Sequence, residues 1–438
     1  MALGKSIPQL LAILALPLLL AGAACGGDDD SPSGPGAPEE TFSFGLSAQT
    51  IASDGLADQV SAMEFAPDGR LFYAEQLKGT IQIVNTDGTA QTAPFTRIAV
   101  ADHLGLDWGL TGLTLDPNFA ANHYVYAFYT EPVGEQPTEG ASAVDNPVGR
   151  PVLVRFTEQS GAATERTVIS ADFPETDPGH AGFNANGEIH FGPDGKLYAS
   201  LGDYDLFQSA PDSVTGLATP IGKLLRMNSD GSIPDDNPYI DDPNADPRVF
   251  ASGFREPFSF TFSSDGEIYS ADNTTVSCEE INIIKAGQFY GWPQMGEFPF
   301  SDCAAAPEEQ PIYNLAREGH SPADFLSFVE VSGLSFLTGS AYSQLTDSLI
   351  ACESQQSDGP NSERTRGVLR RLVLSTPTSV SASELIVDNC GRAVAASDGS
   401  VYYANEGAIR KLVEGAAPDG NNETQNNEQT PPPLQPTP

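Results

Sequence analysis

The string FAPDGRLFYAE at residues 65–75 returns as FGPDGKLYASLGD at 191–203, as FSSDGEIYSADN at 262–273 and as AASDGSVYYANEG at 395–407. Each copy reads as a strand end, a tight Asp-Gly turn and a second strand with alternating apolar residues, which is a hairpin signal. Weaker copies, DPNFAANHYVYAFYT at 116–130 and LTDSLIACES at 345–354, fill the gaps. The first apolar residues after the six turns are Leu71, Val125, Leu197, Ile268, Leu349 and Val401, at intervals of 54, 72, 71, 81 and 52 residues. Each unit is long enough for a four-stranded sheet with one long loop. A repeat of this period indicates a propeller or a solenoid, and unequal loops on a common sheet suit blades around a channel. The sequence therefore predicts an all-β fold, a six-bladed β-propeller over residues 42–414, with a pair of β-sandwiches as the competing architecture. Helical periodicity is confined to the N-terminal segment.

The chain has 438 residues, with 59 Asp plus Glu against 21 Lys plus Arg and a formal charge of −38. Trimming the two ends leaves about −30 in the repeat region, so the acidity belongs to the body. A nucleic-acid partner needs clustered Lys and Arg to release counterions, and no basic run is present. Anionic membrane surface is disfavoured on the same ground.

Residues 1–25 read as an export signal: Lys5 supplies the positive start, Ile7 to Leu20 the apolar stretch, and Ala21-Gly22-Ala23-Ala24 the small residues before the cut. Residues 26–41 form a Gly/Ser/Pro/Asp tether, and residues 415–438, rich in Asn, Gln, Glu and Pro, are expected to be disordered. In an oxidising compartment Cys278, Cys303, Cys352 and Cys390 make two disulfides. Three connectivities exist, and sequence proximity favours Cys278 with Cys303 and Cys352 with Cys390. Zinc is disfavoured because no two of these cysteines have knuckle spacing.

The residues Gly22-Ala23-Ala24-Cys25 resemble a bacterial lipoprotein signal, with Gly22 where Leu is usual. That resemblance implies lipidation of Cys25 and a place in the cell envelope, with membrane contact only through the anchor. The body carries a second resemblance. DWGLTGLTLDPNFAANHYVYAFYT at 107–130, IGKLLRMNSDGSIPDDNP at 221–238, ASGFREPFSFTF at 251–262 and EEINIIKAGQFYGWP at 279–293 stand in order. Together they resemble the glucose/sorbosone dehydrogenase family of soluble quinoprotein sugar dehydrogenases, over roughly residues 43–414.

Membership implies a six-bladed propeller that binds pyrroloquinoline quinone (PQQ) over a calcium ion and oxidises an aldose at its anomeric carbon. The chemistry asks for a base of near-neutral pKa, cations aimed at developing negative charge and a Lewis-acidic metal. By resemblance Arg255, in GFREP, contacts the quinone, although Glu256 stands where Asn is usual. A carboxylate there repels a tricarboxylic quinone unless it is protonated or paired. A gapless match puts Asn184 at the position of the family's catalytic His. His180 lies four residues earlier and serves as the base only if the loop carries an insertion; otherwise it is an exposed loop residue. His190, on the strand entering FGPDG, reads as structural. Asp107 replaces a usual Gln or Glu among the cofactor contacts. Asn273, with the Thr274 and Thr275 carbonyls, sits where the family has a Gln followed by calcium ligands. Arg392 matches a cofactor-binding arginine. A family Lys near 352–371 is missing, and Arg364, Arg366 or Arg370 either replaces it or is an ordinary surface charge. The expected aromatic falls at Phe336.

Two functions follow: a PQQ-dependent aldose dehydrogenase, or a non-catalytic propeller that binds a glycan, peptide or protein on its loop face. Fold alone does not choose between them. No nucleophile elbow, HExxH motif, phosphate loop or haem motif is present. The acidic stretch Asp235, Asp236, Asp241, Asp242 and Asp246 lacks EF-hand spacing and reads as a solvated loop.

Overall fold

The computed structural model describes residues 42–53, 60–101, 108–134, 148–176, 184–185, 187–207, 209–273, 279–293, 311–314, 327–338, 341–345, 348–357, 365–391, 394–397, 399–405 and 407–414. Among them the chain forms six four-stranded antiparallel sheets. The first strand, β1 (Leu46–Ala52), stands apart from its sequence neighbours. Blade one is β2 (Val60–Phe65), β3 (Leu71–Glu75), β4 (Thr80–Val84) and β5 (Thr96–Arg97). Blade two is β6 (Leu110–Leu115), β7 (Tyr124–Val133), β8 (Val148–Gln159) and β9 (Ala162–Ser170), with the one-turn helix α1 (Phe119–Asn122) between β6 and β7. Blade three is β10 (Ile189–Phe191), β11 (Leu197–Leu201), β12 (Lys223–Met227) and β13 (Val249–Ser252), with α2 (Pro211–Thr215) before β12. Blade four is β14 (Ser259–Phe262), β15 (Ile268–Asp272), β16 (Glu280–Ile284) and β17 (Tyr313–Asn314). Blade five is β18 (Ser327–Leu337), β19 (Ser348–Ser357), β20 (Thr365–Thr376) and β21 (Ser379–Val387). Blade six is β22 (Val394–Ser397), β23 (Ser400–Asn405) and β24 (Ala408–Glu414), completed by β1, which pairs with β24 from Leu46 opposite Glu414 onward. The fold is a six-bladed β-propeller, closed by pairing the first strand with the last.

Each of the six beat residues lies on the second strand of its blade and is buried: Leu71, Val125, Leu197, Ile268, Leu349 and Val401. They belong to the apolar layers between adjacent sheets, where one face of each blade meets the next. Burying a side chain of this size contributes about 1.5–3 kcal/mol. In the weaker second beat the link is α1, closed by His123 in the left-handed conformation at φ 57°.

The inner strands are tied to one another by side-chain to backbone bonds. Ser61 Oγ donates to Leu110 O, Thr111 Oγ1 to Gly187 O at 2.9 Å, and Ser332 Oγ to Gly391 O at 2.8 Å. Ser259 Oγ donates to Glu188 at 3.0 Å and accepts Leu334 N–H at 2.8 Å. Small hydroxyl residues suit these places because they satisfy buried backbone groups where the blades approach most closely. Among the described residues no helix is long and apolar enough to cross a membrane.

Candidate active site

Antiparallel blades bring the start of each inner strand and the end of each second strand to the same end of the channel. The sequence places Asn184 just before β10, Asp203 just after β11, Arg255 and Glu256 just before β14, and Asn273 just after β15. These residues meet there. Asn184 Nδ2 donates to Asp203 Oδ1 at 2.8 Å, and Trp292 Nε1 donates to Asp203 Oδ2 at 2.8 Å. The Asp205 amide adds a third bond to Oδ1 at 2.8 Å. Asp203 is fully buried, and that burial raises its pKa despite Arg255 and these donors.

Two glycines make the approach possible. A Cβ on Gly202 would lie 2.1 Å from Asn184 O, and one on Gly187 would lie 2.1 Å from Ser200 Oγ. Asn184, Tyr204 and Asp205 all have positive φ, of 52°, 57° and 57°. Such backbone costs about 1 kcal/mol or more per residue and persists where its surroundings enforce it, often at a site.

Arg255 is held from several directions. Its backbone N–H donates to both oxygens of Asp272 at 3.1 and 3.2 Å, and the Glu256 N–H joins at 2.7 Å. Its carbonyl accepts the Asp203 N–H at 2.7 Å. Its Nη1 donates to Asn273 O at 2.9 Å and lies 3.8 Å from Glu256 Oε2. Its Nε–H is buried with no partner among the described residues. Glu256, which the sequence flags as repulsive toward a bound anion, is thus paired with the arginine beside it. Asn273 uses its side chain on the backbone of Val331, accepting the N–H at 3.0 Å and donating to the carbonyl at 3.5 Å.

Acids crowd this end. Burial pushes Asp272 up to about 6, against the amide bonds from Glu256 and Arg255. Burial pushes Glu279 up to about 8, with Arg255 opposing and Glu330 and Asp272 reinforcing. At neutral pH Glu279 is therefore largely protonated and adds little negative charge beside Arg255.

Of the residues expected from sequence, Asn184, Arg255 and Asn273 come together. His180, Asp107, Thr274, Thr275, Arg392, Arg364, Cys278, Cys303 and Cys25 lie outside the described residues. Arg370 is bound to Glu353 at 2.8 Å, Phe336 stacks on Tyr269, and His190 pairs with Glu188 at 3.1 Å. Cys352 and Cys390 are joined by a disulfide. Among the described residues no group of three His, Cys, Asp or Glu is placed to hold a metal ion, and Asp236 and Asp246 of the acidic stretch instead bind Arg226 and Arg248. Sequence reasoning missed Asp203, Asp272 and Trp292. Their signals were the LGD and ADN ends of two beats and the YGWP string.

Residues 57–414 match the Glucose / Sorbosone dehydrogenase family. The chain belongs to that family. It is 26% identical over 281 residues to quinoprotein glucose dehydrogenase B of Acinetobacter calcoaceticus, covering 59% of this chain and 56% of that protein. It is 27% identical over 186 residues to aldose sugar dehydrogenase YliI of Escherichia coli K12, covering 42% and 46%. It is 28% identical over 282 residues to the mouse (Mus musculus) Hedgehog-interacting protein, covering 59% and 39%. The chain spans about half the length of the relatives it matches. Among solved structures, the PQQ-bound aldose sugar dehydrogenase of Streptomyces coelicolor superposes with a TM-score of 0.60 at 20% identity, over 86% of this chain and 99% of that one. The soluble aldose sugar dehydrogenase of E. coli gives 0.60 at 20%, over 84% and 98%. At this identity the likeness speaks for the fold.

Proposed function

We propose that this chain is a PQQ-dependent aldose dehydrogenase, exported and lipid-anchored through Cys25 in the cell envelope, that oxidises a sugar at its anomeric carbon. The observation that carries the reading is the buried, unpartnered Nε–H of Arg255 at the channel end. A buried donor without an acceptor is costly, and a quinone or carboxylate oxygen supplies the missing partner. The donor set fits the cofactor in this respect: the guanidinium is rigidly held, Glu256 is paired with it and Glu279 is largely neutral.

PQQ supplies the two-electron acceptor for hydride removal. Arg255 would hold its oxygens and, as a preorganised donor, would favour negative charge on them. Arg392 would add a second cation, Asp107 and Asn273 polar contacts to the cofactor, and the carbonyls of Thr274 and Thr275 would hold the calcium ion. His180 takes the proton of the anomeric hydroxyl. Asn184 cannot take it, because an amide is no base; it braces Asp203 and shapes the wall instead.

That last feature favours a second reading, a non-catalytic propeller that binds a glycan, peptide or protein with the same loops. The resemblance to the Hedgehog-interacting protein is consistent with it. Reconstitution of purified protein with PQQ and Ca²⁺, followed by an aldose panel with a dye acceptor, separates the two. Quinone binding with sugar-dependent dye reduction supports the dehydrogenase. Absence of quinone binding supports the binding protein.

A further inference from the structure

Asp272 is 3% exposed and carries a charge close to Arg255, yet its hydrogen bonds go to the main chain and not to the guanidinium. An acid beside a buried arginine ordinarily forms a bidentate ion pair, which occupies the N–H groups of the fork. Here the carboxylate instead collects the N–H groups of Arg255 and Glu256. The Asp203 N–H takes the Arg255 carbonyl from the other side at 2.7 Å. With its backbone fixed at both ends, the direction in which the Arg255 side chain leaves the chain is fixed as well. Asn273 O then stops the guanidinium at Nη1, and Nε–H remains open.

Asp272 is well rooted for this task. It ends β15, directly opposite Glu280 on β16, in the register that pairs Ala271 with Ile281. Strand β14 begins three residues after Asp272's second amide partner, so the Gly253–Pro257 segment, which leads from blade three into blade four, is tied to the end of β15.

We propose that Asp272 is a positioning residue for Arg255: it fixes the backbone from which the guanidinium is aimed and leaves Nε–H free for an oxygen of the ligand. The identity of that ligand rests on the dehydrogenase reading, whereas the clamp does not.

Asp272→Asn keeps the size of the side chain but turns one acceptor into a donor facing the amides. In the unloaded protein, hydrogen exchange followed by mass spectrometry is expected to speed up at least about tenfold at the Arg255 and Glu256 amides. Glu280→Gln, on the same strand pair but bonded to neither amide, leaves those two amides at the wild-type rate. PQQ affinity then tests the route through the arginine. Asp272→Asn is expected to weaken binding about tenfold with Arg255 present and to add no loss in an Arg255→Ala background. Unchanged exchange at the two amides overturns the clamp, and an equal loss in both backgrounds overturns its action through Arg255. Should the wild type bind no PQQ, the dehydrogenase reading fails, and the exchange rates still decide the clamp.

Discussion

Asn184 donates its side-chain amide to the buried carboxylate of Asp203 at 2.8 Å, from a backbone held at positive φ. That bond places the residue that a gapless family match aligns with the catalytic histidine in direct contact with an acid able to orient an imidazole. The acceptor for a base is therefore present, and the base at that position is not.

Asn184→His is expected to install one. An imidazole here can donate one ring N–H to Asp203 and present the other nitrogen to substrate, and general-base catalysis of this kind is worth about 10²–10⁴-fold. Turnover of the PQQ-loaded His180→Ala protein should rise by at least about tenfold when Asn184→His is added, with a pH profile that rises through the imidazole range. Equal turnover in a variant that still binds PQQ contradicts this assignment.

Asp203→Ala removes the acceptor for three donors: Asn184, Trp292 and the Asp205 amide. Leaving buried donors unsatisfied costs about 1–3 kcal/mol each before relaxation. Chemical denaturation should show a loss of several kcal/mol, and an isosteric Asp203→Asn should recover part of it. A loss under about 0.5 kcal/mol for the alanine variant goes against the network as drawn.

Stability should fall as pH rises from acidic to mildly alkaline. Burial pushes Glu64 and Glu280 up to about 7 and Glu279 up to about 8, all above the ordinary 4.5. The native state thus keeps protons that the unfolded chain has released, and the slope of unfolding free energy with pH is negative in that window. The contribution is complete below about 4.5 and is lost as pH climbs through about 7 to 8. Thermal midpoints measured from pH 5 to 8.5 should decline, and Glu280→Gln should flatten the decline.

The disulfide between Cys352 of β19 and Cys390, just ahead of β22, ties blade five to the entry of blade six. Replacing both cysteines with alanine should lower stability by about 2–4 kcal/mol. Denaturant midpoints of the variant under oxidising conditions, compared with wild type before and after reduction, measure it.

Much of this fold is legible in the sequence because its signals are local. An Asp-Gly turn and alternating apolar residues mark a hairpin within a dozen positions, and each beat residue lands on the second strand of its blade. The closure is not legible in the same way, because β1 pairs with β24 across nearly the whole chain, from Leu46 opposite Glu414 to Ala52 opposite Ile409. Arg255 stands out because GFREP matches the string in which the family carries its quinone-contacting arginine. Asp203 and Asp272 do not, since each looks like the polar end of a strand. Their importance comes from the approach of loops from neighbouring strands and blades, which the one-dimensional pattern does not encode. Asn184 was visible as a departure from the family pattern, while its bond to Asp203 required the fold.

The most direct measurement is a calorimetric titration of PQQ into the purified protein with Ca²⁺, run in parallel on Arg255→Ala. The account predicts one quinone per wild-type chain and an affinity at least about tenfold weaker in the variant, the size of a lost charge-assisted hydrogen bond. No binding by the wild type, or equal binding by both proteins, contradicts it.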